Sequence, residues 1–297
     1  MATPGLLLVD KPAGMTSHDV VSRVRKLAGT KKVGHAGTLD PMATGLLVLG
    51  IESGTKLLTF VVGADKTYEA TIRLGSSTIT DDREGETLKT ATPEQLSSVT
   101  LDQINLELEK LRGVIQQVPS AVSAIKVNGE KAYDRVRAGE VFELKSREVT
   151  ISRLDVVGDV RRDDNFIELD VIVDCSSGTY IRAIARDLGE ALGVGGHLTS
   201  LRRSRIGSFD VENAMQLEGF EGELPILKSV EAVTSVLPTL EITSEETLAI
   251  RQGKRIDHHL YEITALTFQG VLVAVAESAG TQSLKSLVVF NDGEINA

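Results

Sequence analysis

The apolar and polar positions divide the chain into short strands and helices. Residues 5–12 (GLLLVDKP) begin with an apolar run, Leu6–Val9, and end at a proline, which predicts a short strand. Thr16 or Ser17 stands where a helix cap is needed. Val20, Val21, Val24 and Leu27 then recur on one face, and Gly29 marks the stop. Leu46–Ile51 is apolar and reads as a buried strand, and Thr55–Val62 fits a short helix. Lys66–Leu74 alternates with a period of two, as a half-buried strand does. The loop GSSTITDDREGE follows, then a mostly helical stretch over Pro93–Arg112 and a strand over Ala121–Val127 ending in the turn signal Asn128-Gly129. Arg147–Val157 and Phe166–Cys175 alternate cleanly and predict two long paired strands. Gly178 opens a helix over Tyr180–Leu192, closed by Gly193, and His197–Phe209 reads as a basic strand.

From about Leu237 the texture changes. One short helix, Ser244–Gln252, capped by Thr243 or Ser244, precedes short strands at Leu260–Phe268, Val271–Ala276 and Leu287–Phe290. Long antiparallel strands with inserted helices predict an α+β class, with a mixed, mainly antiparallel sheet in a domain over 1–235. Residues 236–297 form a second, small β-rich domain in this reading, with the acidic segment 210–236 as connector.

Composition adds little to this picture, but charge adds something. Of 297 residues, 41% are apolar and 25% charged, as in ordinary globular proteins. No apolar run reaches the roughly 18 residues of a membrane span. The amino terminus lacks the basic region of a signal peptide. The single cysteine, Cys175, excludes an internal disulfide and reads as a buried strand residue. These features predict a cytoplasmic protein. A net charge of −10 argues against a polyanionic partner until its distribution is read. Residues 1–62 carry seven Lys or Arg against four acids, and residues 182–205 five against two, whereas 209–247 holds nine acids and one lysine. Two basic stretches on an acidic protein are compatible with phosphate binding.

Candidate chemistry concentrates in GHAGTLDPMATGLLVLG, Gly34–Gly50. An aspartate before a proline is ordinarily a turn former. Here Gly34, Gly37 and Gly45 permit close approach of a ligand to the backbone. Pro41 keeps Asp40 out of the helical region, and Lys11, Lys31 and Lys32 flank the loop. That arrangement suits a nucleophilic carboxylate facing a polyanion. No second carboxylate or histidine stands at metal-ligand spacing, and the GK[ST] ending of a nucleotide loop is missing.

Five stretches in order, LLLVDKPAGMTSHDVVSRVRK, GHAGTLDPMATGLLVLGIESGTK, DKTYEATIRLGSSTITDDREGE, LRGVIQQVPSAVSAIKVNGEKAYDRVRAGE and CSSGTYIRAIARDLGEALGVGGHLTSLRRSRIGSF, resemble the TruB-type family of bacterial tRNA pseudouridine-55 synthases. The resemblance spans roughly residues 5–210. RQGKRI and FQGVLVAVAE resemble, more loosely, the family's PUA-like RNA-binding domain. It implies a tRNA substrate bound at the T-arm and elbow, a monomer with no obligate protein partner, no membrane and no cofactor. The broken and the formed bonds both belong to the substrate. Asp40 matches the catalytic aspartate, which attacks either the ribose C1′ or the base of a flipped uridine. His35 matches the histidine that fills the vacated place. Tyr68 matches an active-site tyrosine that stacks on the base, and Arg182 the arginine paired with the aspartate. Tyr180 and Leu201 match residues near the base. Lys11, Lys31, Lys32, Arg202 and Arg203 are candidate phosphate contacts. Lys126 and Lys131 sit in a family motif with no assigned role. The chain departs from the family at PSAVSA, where Ser120 replaces a second proline and Val122 an aromatic residue.

Two further readings stay open at this level. One is a guide-RNA-directed synthase working inside a multiprotein particle, although MTSHDVV and PMATG look bacterial. The other is a tRNA-folding helper whose catalysis is dispensable. A glycosidase is disfavoured, because two carboxylates flanking a sugar bond are not evident.

Overall fold

The computed structural model describes residues 2–120, 126–127, 130–131 and 144–291. The chain forms two compact units, one from residues 1–64 and 205–297 and one from residues 65–204.

In the first unit, strand β1 (Gly5–Lys11) pairs antiparallel with β3 (Thr44–Ile51), from Gly5 opposite Ile51 to Lys11 opposite Gly45. Strand β2 (Val33–Ala36) lies along the end of β3, with His35 opposite Leu49. All seven residues of β1 are buried, the polar Asp10 and Lys11 included, which accounts for the apolar run Leu6–Val9. Its side chains divide by parity. Leu7 and Val9 pack against Val20, Val21 and Val24 of helix α1 (Ser17–Ala28). Leu6 and Leu8 enter a second cluster with Ala265, Leu272, Val275 and Phe290. Helix α1 begins with a reciprocal cap between Thr16 and Asp19 and ends at Gly29, whose φ of 65° few other residues tolerate. A 3₁₀ turn, Glu52–Leu57, leads into α2 (Leu58–Val62).

In the second unit, five strands run in the order β8–β4–β7–β6–β5: β4 (Lys66–Leu74), β5 (Gly113–Gln117), β6 (Arg147–Arg162), β7 (Ile167–Cys175) and β8 (Gly196–Ile206). β4, β7, β6 and β5 pair antiparallel, with Tyr68 opposite Val173 and Arg147 opposite Gln117. Helices α3 (Pro93–Ser98) and α4 (Leu101–Lys110) make up the mostly helical stretch expected over Pro93–Arg112. Val99 is extended, and Thr100 then caps a new helix with Gln103. The expected loop GSSTITDDREGE carries a ribbon of Ser76–Thr78 against Thr87–Thr90. Helix α5 (Ile181–Ala191) follows β7.

Back in the first unit, β9 (Phe209–Asp210) folds onto Arg205 and Ile206, and β10 (Met215–Gln216) pairs parallel with β1. The acidic stretch 210–236 is therefore partly structural: it supplies β10 and helix α6 (Ser229–Thr234), which buries Ala232 and Val233. The carboxy-terminal sheet runs β11 (Thr239–Glu241), β12 (Thr264–Phe268), β13 (Val271–Ser278), β14 (Leu284–Val289), with α7 (Ser244–Arg251) beside it. β12 starts four residues later than the apolar run at Leu260 suggested, after the exposed residues Tyr261, Glu262 and Ile263. The whole is α+β, mainly antiparallel, with a carboxy-terminal sheet, the class that the patterning predicts. The expected strand Ala121–Val127 and the Asn128-Gly129 turn lie largely outside the described residues; Lys126–Val127 pairs with Glu130–Lys131. No described helix is long and apolar enough to cross a membrane.

One close approach fixes α5 on β8. A Cβ added at Gly189 of the helix would run into the backbone of Gly195 and Gly196. Backbone cannot yield as a side-chain tip does, so Gly189→Ala is expected to cost about 3 kcal/mol. The reading is a lower urea midpoint at unchanged slope. An unchanged midpoint would refute this packing.

Candidate active site

The Asp40 loop is pinned on both sides of the carboxylate. Leu39, buried, donates its N–H to Ser17 Oγ (2.9 Å), which in turn donates to Leu39 O (3.2 Å). Pro41 O accepts from Gly14 N (2.8 Å) and from Lys11 Nζ (3.2 Å). Asp40 O accepts from Ala43 N (3.1 Å), closing a turn with proline in its second position. Gly37 and Gly45 carry φ of 83° and 99°, which restricts these positions to glycine. The start of α1 and the end of β1 thus hold the loop from below, and Asp40 is half-buried in a preset backbone.

Lys11 departs from the expectation of a phosphate contact. It is fully buried, and its ammonium donates to Pro12 O (2.9 Å), Met15 O (2.5 Å) and Pro41 O (3.2 Å). A cation so enclosed braces the loop and meets no solvent-borne phosphate. His35, half-buried, lies on β2, a strand the patterning did not predict. Lys31 and Lys32 are exposed just before it, and Lys32 pairs with Glu52 at 3.6 Å.

In the second unit, Lys66, Tyr68 and Ala70 share the buried face of β4, and Tyr68 is 8% exposed. Leu201 and Arg203 alternate with half-buried Arg202 on β8, so Arg202 faces the other way. Arg203, only 1% exposed, also departs from the picture of an open phosphate contact. Burial, seconded by the charge of Arg203, pushes the Lys66 ammonium down to about 8. Burial raises the Cys175 thiol, opposite Lys66, to about 11, as suits an inert strand residue.

The lowered Lys66 gives a pH signature. The unfolded lysine titrates near 10.5, so between about pH 8 and 10.5 the unfolded chain binds more protons. Stability contributed by this site is therefore lowest and flat below pH 8 and rises above it. Wild type should gain roughly 1–2 kcal/mol on Lys66→Met between pH 7 and pH 10. A constant difference in denaturant unfolding across that range would disprove a buried ammonium.

Arg182, in the first turn of α5 and 6% exposed, donates through Nη1 to Thr80 O (2.7 Å) and Asp82 Oδ2 (3.2 Å). Asp82 is itself fixed by Thr80 Oγ1 (2.6 Å) and Glu84 N (3.0 Å). One turn along, Arg186 meets Asp81 at 3.4 Å and Val118 O at 2.7 Å. Burial raises the Asp81 carboxyl against the pull of Arg186. Asp82 was not singled out from the sequence; the adjacent acids in ITDDRE were its only mark. Tyr180, the N-cap of α5, is clamped through its backbone by Gln117, which donates from Nε2 (3.1 Å) and accepts at Oε1 (2.8 Å). The side chains of Lys126 and Lys131 lie outside the described residues. No group of three or more His, Cys, Asp or Glu side chains able to hold a metal occurs among the described residues.

Residues 25–181 match the model of the TruB family pseudouridylate synthase N-terminal domain, and residues 182–239 that of the tRNA pseudouridylate synthase B C-terminal domain. A tRNA pseudouridine synthase B of Corynebacterium diphtheriae is 54% identical over 255 residues, covering 86% of this chain and 85% of the relative. One from Leifsonia xyli is 50% identical over 301 residues, covering 99% of each. Among solved structures, an H/ACA RNP bound to a substrate RNA containing 2′-deoxyuridine matches with a TM-score of 0.70 at 23% identity, over 97% of this chain and 85% of that one. A Cbf5-Nop10-Gar1 complex matches with 0.69 at 24%, over 97% and 84%. Those two likenesses concern the fold; the two matched models and the relatives identical at half their positions establish that this chain belongs to the TruB family of pseudouridylate synthases.

Proposed function

We propose that the protein is a stand-alone isomerase that converts the T-loop uridine of tRNA, position 55, into pseudouridine. The observation that carries the reading is the Asp40 loop, with backbone fixed at Leu39, Asp40 and Pro41 inside a matched family domain. A nucleophile held this way needs no reorganisation when the substrate arrives.

In this reading the target nucleotide leaves the stack, because its glycosidic bond is otherwise out of reach. His35 takes the vacated place. Asp40 attacks the ribose C1′ or the base; the C1′–N1 bond breaks, the base turns, C5 bonds to C1′ as the bond to Asp40 is released, and the proton on C5 leaves while N1 gains one. Tyr68 and Leu201 hold the base, with Tyr180 nearby. Arg182 keeps the Asp40 carboxylate ionised and oriented. Lys31, Lys32 and Arg202 meet backbone phosphates, while Lys11 and Arg203 support the site from within. No cofactor takes part. Residues 1–235 act as the catalytic domain and 236–297 as a PUA-like RNA-binding domain. The enzyme works as a monomer in the cytoplasm. Opening the tRNA elbow for base flipping also gives it a second role in tRNA refolding.

The test is an unmodified tRNA transcript incubated with the protein alone, its pseudouridines mapped by carbodiimide adducts and primer extension. One converted uridine in the T loop is expected. Conversion that needs an added guide RNA, or that occurs elsewhere in the tRNA, would overturn the reading.

A further inference from the structure

Arg147 is a guanidinium held in place with its donors unspent among the described residues. It opens β6 directly opposite Gln117 of β5. Gln117, 1% exposed, clamps the backbone of Tyr180 through two hydrogen bonds. The guanidinium of Arg147 lies over the Tyr180 ring, 5.5 Å from its centre. Two adjacent strands and the start of α5 therefore place one arginine against one tyrosine. Arg147 is only half-buried, yet its side chain makes no hydrogen bond and no ion pair among the described residues. Its chain neighbour Glu148 is exposed and, by the alternation of β6, faces the other side of the sheet.

Stacking engages the face of a guanidinium and leaves its N–H edge free. Elsewhere in this unit arginines spend that edge on carboxylates: Arg73 on Glu168, Arg161 on Asp170, Arg186 on Asp81 and Asp187. An arginine fixed by an aromatic face, with no anion beside it among the described residues, is a preorganised fork for an external one. The anion class that fits a planar bidentate fork on an RNA-modifying enzyme is the phosphodiester.

We propose that Arg147, seated on Tyr180, binds a backbone phosphate of the substrate RNA. The proposal rests on the tRNA reading above and adds a residue that the motif comparison did not single out. Its test is equilibrium binding of an unmodified tRNA transcript to the full chain across a salt series, alongside conversion kinetics. Arg147→Met keeps the packing on Tyr180 and removes the fork; Arg147→Lys keeps the charge alone. For Arg147→Met, affinity is expected to fall roughly ten-fold, and the slope of log K against log salt to shrink by about 0.7–0.9, one phosphate's worth. KM should rise by a similar factor with kcat within about two-fold, and Arg147→Lys should fall between wild type and Arg147→Met. Wild-type affinity and slope in Arg147→Met would overturn the proposal while leaving the synthase reading intact. So would a fall in kcat and thermal midpoint at unchanged slope, the mark of a purely structural arginine. If Arg147→Met does not fold, the slope and KM of Arg147→Lys decide, and wild-type values in both overturn it. A wild type that binds tRNA but converts no uridine would sink the synthase reading alone.

Discussion

Asp40→Asn is expected to bind tRNA like wild type while its turnover to pseudouridine falls by on the order of 10⁴-fold or more. The substitution preserves size and hydrogen-bonding capacity and removes the charged nucleophile. The backbone around it has no reason to move. Ser17 holds Leu39, and Lys11 and Gly14 hold Pro41. The turn closes through the carbonyl of residue 40, which asparagine retains. Binding and chemistry thus separate at one atom. Filter binding measures the first, and nucleoside analysis by mass spectrometry after nuclease digestion the second. Activity above a tenth of wild type would remove Asp40 from the centre of the reaction. An asparagine variant that still refolds tRNA would assign the refolding role to the RNA-binding surface.

The second large effect falls on Arg182→Met, which loses both stability and activity. Methionine fills much of the volume but leaves the Thr80 carbonyl and the Asp82 carboxylate without this donor, in a place where Asp82 is 3% exposed. Breaking a buried pair by removing one partner costs about 3–5 kcal/mol. The thermal midpoint should fall by roughly 6–15 °C. Conversion should fall by at least about 10²-fold at a temperature where the variant is folded, since the arginine is also the proposed partner of Asp40. Asp82→Asn, which keeps an acceptor for Arg182 but removes its countercharge, should lose less stability than Arg182→Met. A variant with normal stability would mean that the ion pair is not formed. One with normal turnover would mean that Arg182 only builds the fold.

What the sequence made legible follows from where physics leaves a periodic trace. β1, β3, β4, β7, α1 and α5 each carry enough apolar residues at one spacing to be read directly, and their caps at Thr16, Gly29 and Gly193 mark the ends. β2 escaped because four residues, VGHA, are too few to show a period, although His35 sits on it. β5 is largely exposed, so nothing forces its residues to alternate. β10 and β11 are two and three residues long and owe their conformation to the strands beside them. The motifs single out Asp40, Tyr68 and Arg182 as candidates, but not the contacts that hold the residues around them. That Lys11 turns inward, that Asp82 fixes Arg182 and that Gln117 clamps Tyr180 are long-range pairings, to which local patterning is blind.

The unit that carries Asp40 is assembled from both ends of the chain. Leu6 and Leu8 share one core with Phe290, Val9 pairs with Met215, and Leu6 exchanges backbone hydrogen bonds with Leu227. Residues 65–204, by contrast, form their unit from one continuous segment. On the ribosome the order of completion is therefore inverted. Leu6 and Leu8 must wait until Phe290 has been made before their core can close, while residues 65–204 can fold as they emerge. At translation rates of roughly 5–20 residues per second that wait lasts on the order of ten seconds or more. A nascent chain stalled before Phe290 would display the whole Asp40 motif with the core under β1 still open, so truncated products should be less active toward RNA than the full chain.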